Sequence, residues 1–177
     1  EITTRLVGSE MCIRDSPQPD FIFGFNNQFG YKNFDLSIFF QGSYGNDIWN
    51  GVRVSHEGME STYNQFTSTL NRWNGEGSSN TMPRAIYADP NRNNRASTRW
   101  VEDGSYLRLK NLTFGYRFTQ DWLKKIGAKS LRLYLSFDNL WTLTNYSGLD
   151  PEVGLWGLDY GIYPTSRVYM FGASVKF

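Results

Sequence analysis

The last eleven residues, Arg167-Val-Tyr-Met-Phe-Gly-Ala-Ser-Val-Lys-Phe177, alternate in character to the final position and end on an aromatic side chain. Side chains along a strand point to opposite faces with period two. Tyr169, Phe171, Ala173, Val175 and Phe177 therefore share an apolar face, opposite the smaller and more polar set that contains Gly172, Ser174 and Lys176. Termini of soluble domains fray unless tied down. Patterning kept to the last residue thus restricts the chain to folds that hold this strand. A barrel, which pairs its last strand so that no edge faces lipid, is one such fold. An edge strand of a soluble sandwich is the other.

Four earlier segments repeat the alternation. Phe21–Tyr31 has Phe21, Phe23, Phe25, Phe29 and Tyr31 on one parity, interrupted by Asn27. Phe34–Tyr44 puts Phe34, Leu36, Ile38, Phe40 and Tyr44 opposite Asp35, Ser37, Gln41 and Ser43, with Phe39 as the exception. In Tyr106–Phe118 the apolar set changes parity, from Leu107 and Leu109 to Leu112, Phe114, Tyr116 and Phe118. One extra residue switches faces, so a bulge is expected near Lys110-Asn111. Leu131–Asn139 sets Leu131, Leu133, Leu135 and Phe137 against Arg132, Tyr134, Ser136 and Asp138. These lengths approach the roughly 9 to 11 residues with which a tilted strand spans a bilayer.

Composition removes several classes. A net charge of +1 over 177 residues argues against a nucleic-acid surface. Mean hydropathy is −0.51, and no run approaches the roughly 20 apolar residues of a spanning helix. A β-barrel stays open, because lipid-facing and lumen-facing residues average out along each strand. The 17% of aromatic residues suits interfacial girdles and equally a soluble carbohydrate-binding or adhesive β-domain.

Connection lengths separate these two readings. The turn at Lys32-Asn33 and the connection 119–130, with a helical turn through Asp121-Trp-Leu-Lys-Lys125, are short, whereas 45–105 and 140–166 are long. Outer-membrane barrels sort connections in this way, with short periplasmic turns and long extracellular loops. That rule puts Phe177 at the periplasmic end. Five strands do not close a barrel, since the smallest common ones have about eight.

The segments Ser16-Pro-Gln-Pro-Asp-Phe-Ile-Phe-Gly-Phe25, Ser105-Tyr-Leu-Arg-Leu-Lys-Asn-Leu-Thr-Phe-Gly-Tyr116 and Asp138-Asn-Leu-Trp-Thr-Leu-Thr-Asn-Tyr-Ser-Gly-Leu-Asp-Pro-Glu152 resemble the C-terminal region of SusC/RagA-type TonB-dependent outer-membrane transporters. The resemblance implies an all-β fold of about five antiparallel transmembrane strands, the C-terminal part of a barrel of about 22 strands that encloses a plug. It implies outer-membrane lipid around the strands and import of oligosaccharides or peptides. A SusD-like surface lipoprotein would sit over the mouth, and the TonB complex would act through an N-terminal part that this chain lacks. Gly172-x-x-Val175-x-Phe177 is similar to the signal read by the barrel assembly machinery, with Met170 where that signal has a polar residue. Leu6-Val-Gly-Ser-Glu-Met-Cys-Ile-Arg-Asp15 resembles the translation of a sequencing-library adapter. Residues 1–15 are accordingly expected to lie outside the native segment 16–177, with 1–5 of unknown origin, and Cys12, the only cysteine, falls inside the scar.

The long loops hold Trp49, Trp73, Trp100, Trp141 and Trp156 with Tyr63, Tyr87 and Tyr146. Aromatic faces stack on sugar rings, which makes these the candidate cargo or lid contacts, against the simpler role of packing the loops or the girdle. Met59, Tyr63, Phe66 and Leu70 recur at helical spacing, so 59–70 is expected to be a short loop helix with these residues on its buried face. Chemistry beyond this is thin. Asp89-Pro-Asn91-Arg-Asn93 opens like a calcium loop, but Asn94 stands where glycine is needed and Trp100 at the final acidic position. His56, the sole histidine, reads as a solvated loop residue, and Asp138 and Asp150 as turn residues. No catalytic, metal or cofactor site is expected.

Overall fold

The computed structural model describes residues 16–119, 121–125 and 127–177. The adapter-like stretch 6–15 with Cys12, and residues 1–5, lie outside the described residues. In chain order the strands are β1 (Phe21–Tyr31), β2 (Phe34–Tyr44), β3 (Asp47–Asn50), β4 (Val101–Asp103), β5 (Tyr106–Phe118), β6 (Ser130–Thr144), β7 (Leu158–Asp159) and β8 (Val168–Lys176). Among the described residues two short α-helices, α1 (Gly51–Glu57) and α2 (Asp121–Lys125), accompany them. The chain divides into a sheet unit, of residues 19–44, 105–145 and 164–177, and a loop unit, which includes residues 45–104 and 146–163.

The sheet unit is one five-stranded sheet in the order β1-β2-β5-β6-β8, antiparallel throughout. All five strands expected from alternation are present, and β6 runs on to Thr144, past the expected end at Asn139. The bulge falls where the parity change puts it. Phe39 pairs with Asn111 and Phe40 with Leu109, so Lys110 is the extra residue of β5. Across the next ladder Leu109 pairs with Trp141 and Asn111 with Asp138, which sets two residues of β6 against Lys110. Each strand thus adds one residue to its predecessor, and β6 regains the parity of β2. Asn139 absorbs the second irregularity at φ 53°, a left-handed conformation that asparagine tolerates.

Register carries one apolar face across the sheet. Phe25, Phe40, Leu109 and Trp141 are successive partners, as are Phe29, Leu36, Phe114, Leu135 and Phe171. Many of these side chains are open, among them Phe25, Phe29, Phe114, Leu135 and Phe171. The opposite face is polar and bonded across strands. Asn111 donates from Nδ2 to Asp138 at 2.7 Å and to Ser136 at 3.1 Å, and Thr113 and Ser136 hydroxyls meet at 2.8 Å. Buried Arg108 reaches Thr142 at 3.0 Å and Thr165 at 3.2 Å. Phe39, the exception to the alternation, is on this polar face with its ring beside Gly24, which has no side chain of its own there.

One glycine makes the longest of these polar contacts possible. Arg132 on β6 donates a two-pronged bond to Asp35 on β2, at 2.9 Å from Nε, across the intervening β5. A Cβ on Gly115 would stand 2.6 Å from both Asp35 carboxylate oxygens and 2.8 Å from Arg132 Nε. Gly115→Val is therefore expected to split this pair and to lower the stability of the sheet by about 1–3 kcal/mol, read as an earlier urea midpoint of the complete refolded protein.

The loop unit contains a three-stranded sheet, β4-β3-β7, whose β3–β7 pairing is parallel. Helix α1 begins directly after β3, where the Asn50 side chain accepts from Arg53 N at 3.0 Å and caps the first turn. The helix expected over 59–70 is not found. The helical turns lie earlier, at Gly51–Glu57, and Met59 takes φ 55°, which ends that run. Of the expected stretch only the end, within Thr67–Asn71, is helical, as a 3-10 turn, and Tyr63 and Leu70 are exposed instead of making a buried face. Ser61, Thr62, Asn64, Thr67, Ser68 and Thr69 crowd this stretch, and such side chains bond locally in competition with helix. Thr69 Oγ1 does so, donating to Phe66 O at 2.7 Å.

Candidate functional site

The loop unit is organised around a charge cluster that sequence reading missed. Arg53 donates to Glu102 at 2.8 Å and to Glu57 at 2.9 Å. Glu102 also accepts from Ser147 N at 2.8 Å, Ser147 Oγ at 2.9 Å and Asn50 Nδ2 at 3.2 Å. Ser68 Oγ donates to the other oxygen of Glu57 at 2.8 Å. Three distant stretches of chain, around Arg53, Glu102 and Ser147, meet on one pair of carboxylates. Partly shielded charge pairs of this kind hold only when fully hydrogen-bonded.

Burial opposes the charge on Glu102, and the Arg53 and Ser147 bonds outweigh it, holding the carboxyl below its ordinary 4.5. For Arg53 burial likewise works against the charge, and Glu102 and Glu57 together raise its value. Because the folded value of Glu102 is depressed, its contribution is present above the ordinary value and is lost as pH falls through the folded one. Amide protection in the loop unit is therefore expected to hold from neutral pH down to about 4.5 and to decline below it. Hydrogen exchange followed against pH reads this, and a Glu102→Gln variant should lack the decline.

A second buried contact stands nearby in the same unit. Tyr146, almost fully buried, donates from its hydroxyl to Asp159 at 2.6 Å. Burial first, and then this bond, push the phenol well above its ordinary value. Asp159 further accepts from Gly161 N and Ile162 N, which fixes the turn after β7. A cavity of about 300 Å³ opens among Asn50, Val52, Arg53, Phe66, Leu149 and Asp159. Among the described residues no group of three His, Cys, Asp or Glu side chains is placed to hold a metal ion.

No family model matches this chain. Similar curated proteins are TonB-dependent receptor P3 of Formosa agariphila, 40% identical over 91% of this chain and 17% of its own length, and TonB-dependent receptor P26 of the same organism, 33% identical over 95% and 18%. TonB-dependent receptor SusC of Bacteroides thetaiotaomicron is 29% identical over 93% of this chain. The chain belongs to the SusC/RagA family of TonB-dependent receptors. Among solved structures the RagAB peptide transporter superposes with a TM-score of 0.81 at 27% identity, covering 93% of this chain and 18% of that one. The closed-closed state of the RagAB peptide importer gives 0.80 at 28% identity. The chain spans less than one-fifth of the length of these relatives. The relatives it matches are TonB-dependent receptors, which favours the barrel reading over the soluble β-domain.

Within this segment the five candidate tryptophans fall into different settings. Trp100 is fully buried, its indole N–H donates to Arg95 O at 3.2 Å, and the guanidinium groups of Arg99 and Arg53 lie 4.6 and 5.7 Å from its ring centre. It packs the loop unit and offers no open face, which corrects its candidacy as a cargo or lid contact. Trp141 is not in a loop, because β6 extends through it and sets it on the apolar face beside Leu109. Trp49 is half-buried on β3, Trp73 is about one-third exposed at 37%, and Trp156 is largely open at 81%. Tyr63 and Tyr87 are also exposed.

The remaining candidates have local roles. Asp89 accepts from Asn94 N at 2.6 Å and Asn93 Nδ2 at 3.2 Å, closing its own turn. His56 is not a solvated loop residue: it is half-buried on α1, with Nδ1 2.9 Å from Val52 O and its ring stacked 5.0 Å from Phe66. Asp150 accepts from Glu152 N at 2.9 Å, as a turn residue does, whereas Asp138 is inside β6 and bonds Asn111. Gly172 makes room for the Tyr134 ring, which a Cβ would meet at 2.2 Å. Val175 pairs with Leu131, and Lys129 Nζ donates to Phe177 O at 3.1 Å.

Proposed function

We propose that this chain is the C-terminal barrel segment of a TonB-dependent importer, with its long loops on the extracellular side and its carboxyl end in the periplasm. The observation that supports this most is the continuous apolar face carried through register over all five strands, backed by a polar, cross-bonded face. In lipid every backbone group of a spanning segment must be paired, so β1 and β8, each with one neighbour, need further strands beside them. The complete barrel is proposed to hold about 22 strands around a plug. The apolar side chains then meet lipid, and Arg108, Asn111, Arg132 and Asp138 line the interior. Gly172, Val175 and Phe177 serve as the signal for the barrel assembly machinery.

The cargo is an oligosaccharide or a peptide, imported with TonB and with a SusD-like lipoprotein over the mouth. Exposed Trp156 and Trp73, together with half-buried Trp49, are the loop aromatics open to cargo or lid. Uptake by cells that carry the complete receptor as their sole importer tests this. Uptake of an oligosaccharide or peptide panel should stop on deletion of TonB, and Trp156→Ala should weaken it. Uptake that persists without TonB would overturn the assignment. Residues 6–15 are proposed to be adapter translation; genomic reads across Asp15-Ser16 should lack them.

A further inference from the structure

The short-turn end of the sheet concentrates charge of one sign. In the β1–β2 turn and in residues 117–130, Lys32, Arg117, Lys124, Lys125 and Lys129 are cationic, and Asp121 alone is acidic. Lys32, Lys125 and Lys129 are exposed; Asp35 is already bound to Arg132, and Lys129 Nζ donates to the terminal residue at Phe177 O, 3.1 Å away. At the opposite end of the same sheet exposed Asp20 and Arg167 carry opposite charges. The turns are joined into one rim: Arg117 N donates to Asn33 O at 2.8 Å, and Lys129 N to Lys176 O at 2.7 Å. Lys176 itself lies on the polar face and is not counted in the cluster.

Aromatic rings accompany two of these cations. Lys32 Nζ lies 5.3 Å from the centre of the Tyr31 ring, and Tyr31 and Phe34 are exposed. On α2, Trp122 is 45% exposed while Leu123 beside it is buried. Trp122 and Lys125 are three residues apart and so share one side of this helical turn. Aromatic rings with long cations at their polar edge match a bilayer interface, where the ring sits at headgroup depth and the ammonium reaches outward.

We infer that this rim, formed by Lys32, Lys125, Lys129, Tyr31 and Trp122, is a contact surface for anionic phospholipid headgroups. The inference rests on the proposed barrel reading, under which the short turns meet the periplasmic leaflet. Charge complementarity selects the occupant: the five cations of the two turns outnumber Asp121 and the carboxyl end at Phe177, and this excess favours a phosphodiester lipid without a compensating amine, such as phosphatidylglycerol, over a zwitterionic one. Each cation near an anionic leaflet strengthens association on the order of fivefold at low salt. The attraction is screened over about 10 Å at 0.1 M salt.

The test uses the complete receptor reconstituted in phosphatidylcholine vesicles containing brominated phosphatidylglycerol or, separately, brominated phosphatidylcholine. The Trp122 signal is taken as the difference between the parent and Trp122→Phe. Brominated phosphatidylglycerol is expected to quench that signal several-fold more strongly than brominated phosphatidylcholine. The excess should disappear at high salt and in the Lys32→Gln, Lys125→Gln, Lys129→Gln triple variant. Equal quenching by both lipids would overturn the headgroup preference and leave the barrel reading standing. Absence of quenching by either would place Trp122 outside the interface and overturn both the preference and the assigned orientation.

Discussion

Leu112→Arg is expected to destabilise the lipid-embedded receptor by about 2–4 kcal/mol, the cost of a cation on the lipid face at the bilayer midplane. Leu112 is the middle residue of β5, and its partners Ile38 and Phe137 belong to the same apolar face. On the lipid face of the proposed barrel no water is available to offset the charge. Ser37→Arg, on the polar face between Gln28 and Thr113, should cost less than about 1 kcal/mol, because a lumen side chain stays hydrated. Folding titrations into lipid vesicles measure both. The contrast between adjacent faces matters more than either value, since overpacking alone would penalise the two sites alike.

Trp100→Ala should have a comparable effect on the other unit, about 3–5 kcal/mol. The ring is fully enclosed, so its removal leaves a cavity, and it strips the aromatic surface from beside Arg99 and Arg53. Burial already lowers the Arg99 value, with Glu57 opposing and Arg53 adding to the effect. Hydrogen exchange should show early loss of protection in α1, β3 and β4, with the five-stranded sheet retained. Trp100→Phe should recover part of the loss if packing is the role of this residue. A variant that keeps full protection and loses cargo binding would instead restore Trp100 as a contact residue.

The sheet was legible in the sequence because its signals are local. Alternation at Phe21–Tyr31 and Phe34–Tyr44 marks those two strands to the residue, and the parity change at Lys110 reports a bulge without any knowledge of its partners. The far end of β6 is not legible, because Asn139-Leu140 breaks the polar-apolar rhythm at the second irregularity and leaves Trp141 outside the alternating segment. Within the loop unit the strands have two to four residues, too few for a period to show. Arg53 and Glu57 do have i,i+4 spacing behind an Asn50 cap, a signal that the Met59–Leu70 pattern obscured. Glu102 and Ser147 join them from distant sequence, and no local rule connects those stretches. For the same reason nothing in the local sequence marks Trp100 as enclosed.

The lipid exposure of one sheet face is measured most directly by nitroxide labels placed singly at Leu131 to Asp138 of β6, in the complete receptor in vesicles. A period of two is expected. Labels at Leu131, Leu133, Leu135 and Phe137 should collide with oxygen dissolved in the bilayer, and labels at Arg132, Tyr134, Ser136 and Asp138 with a water-soluble nickel chelate. Uniform access of the chelate along all eight positions would contradict a membrane-spanning strand.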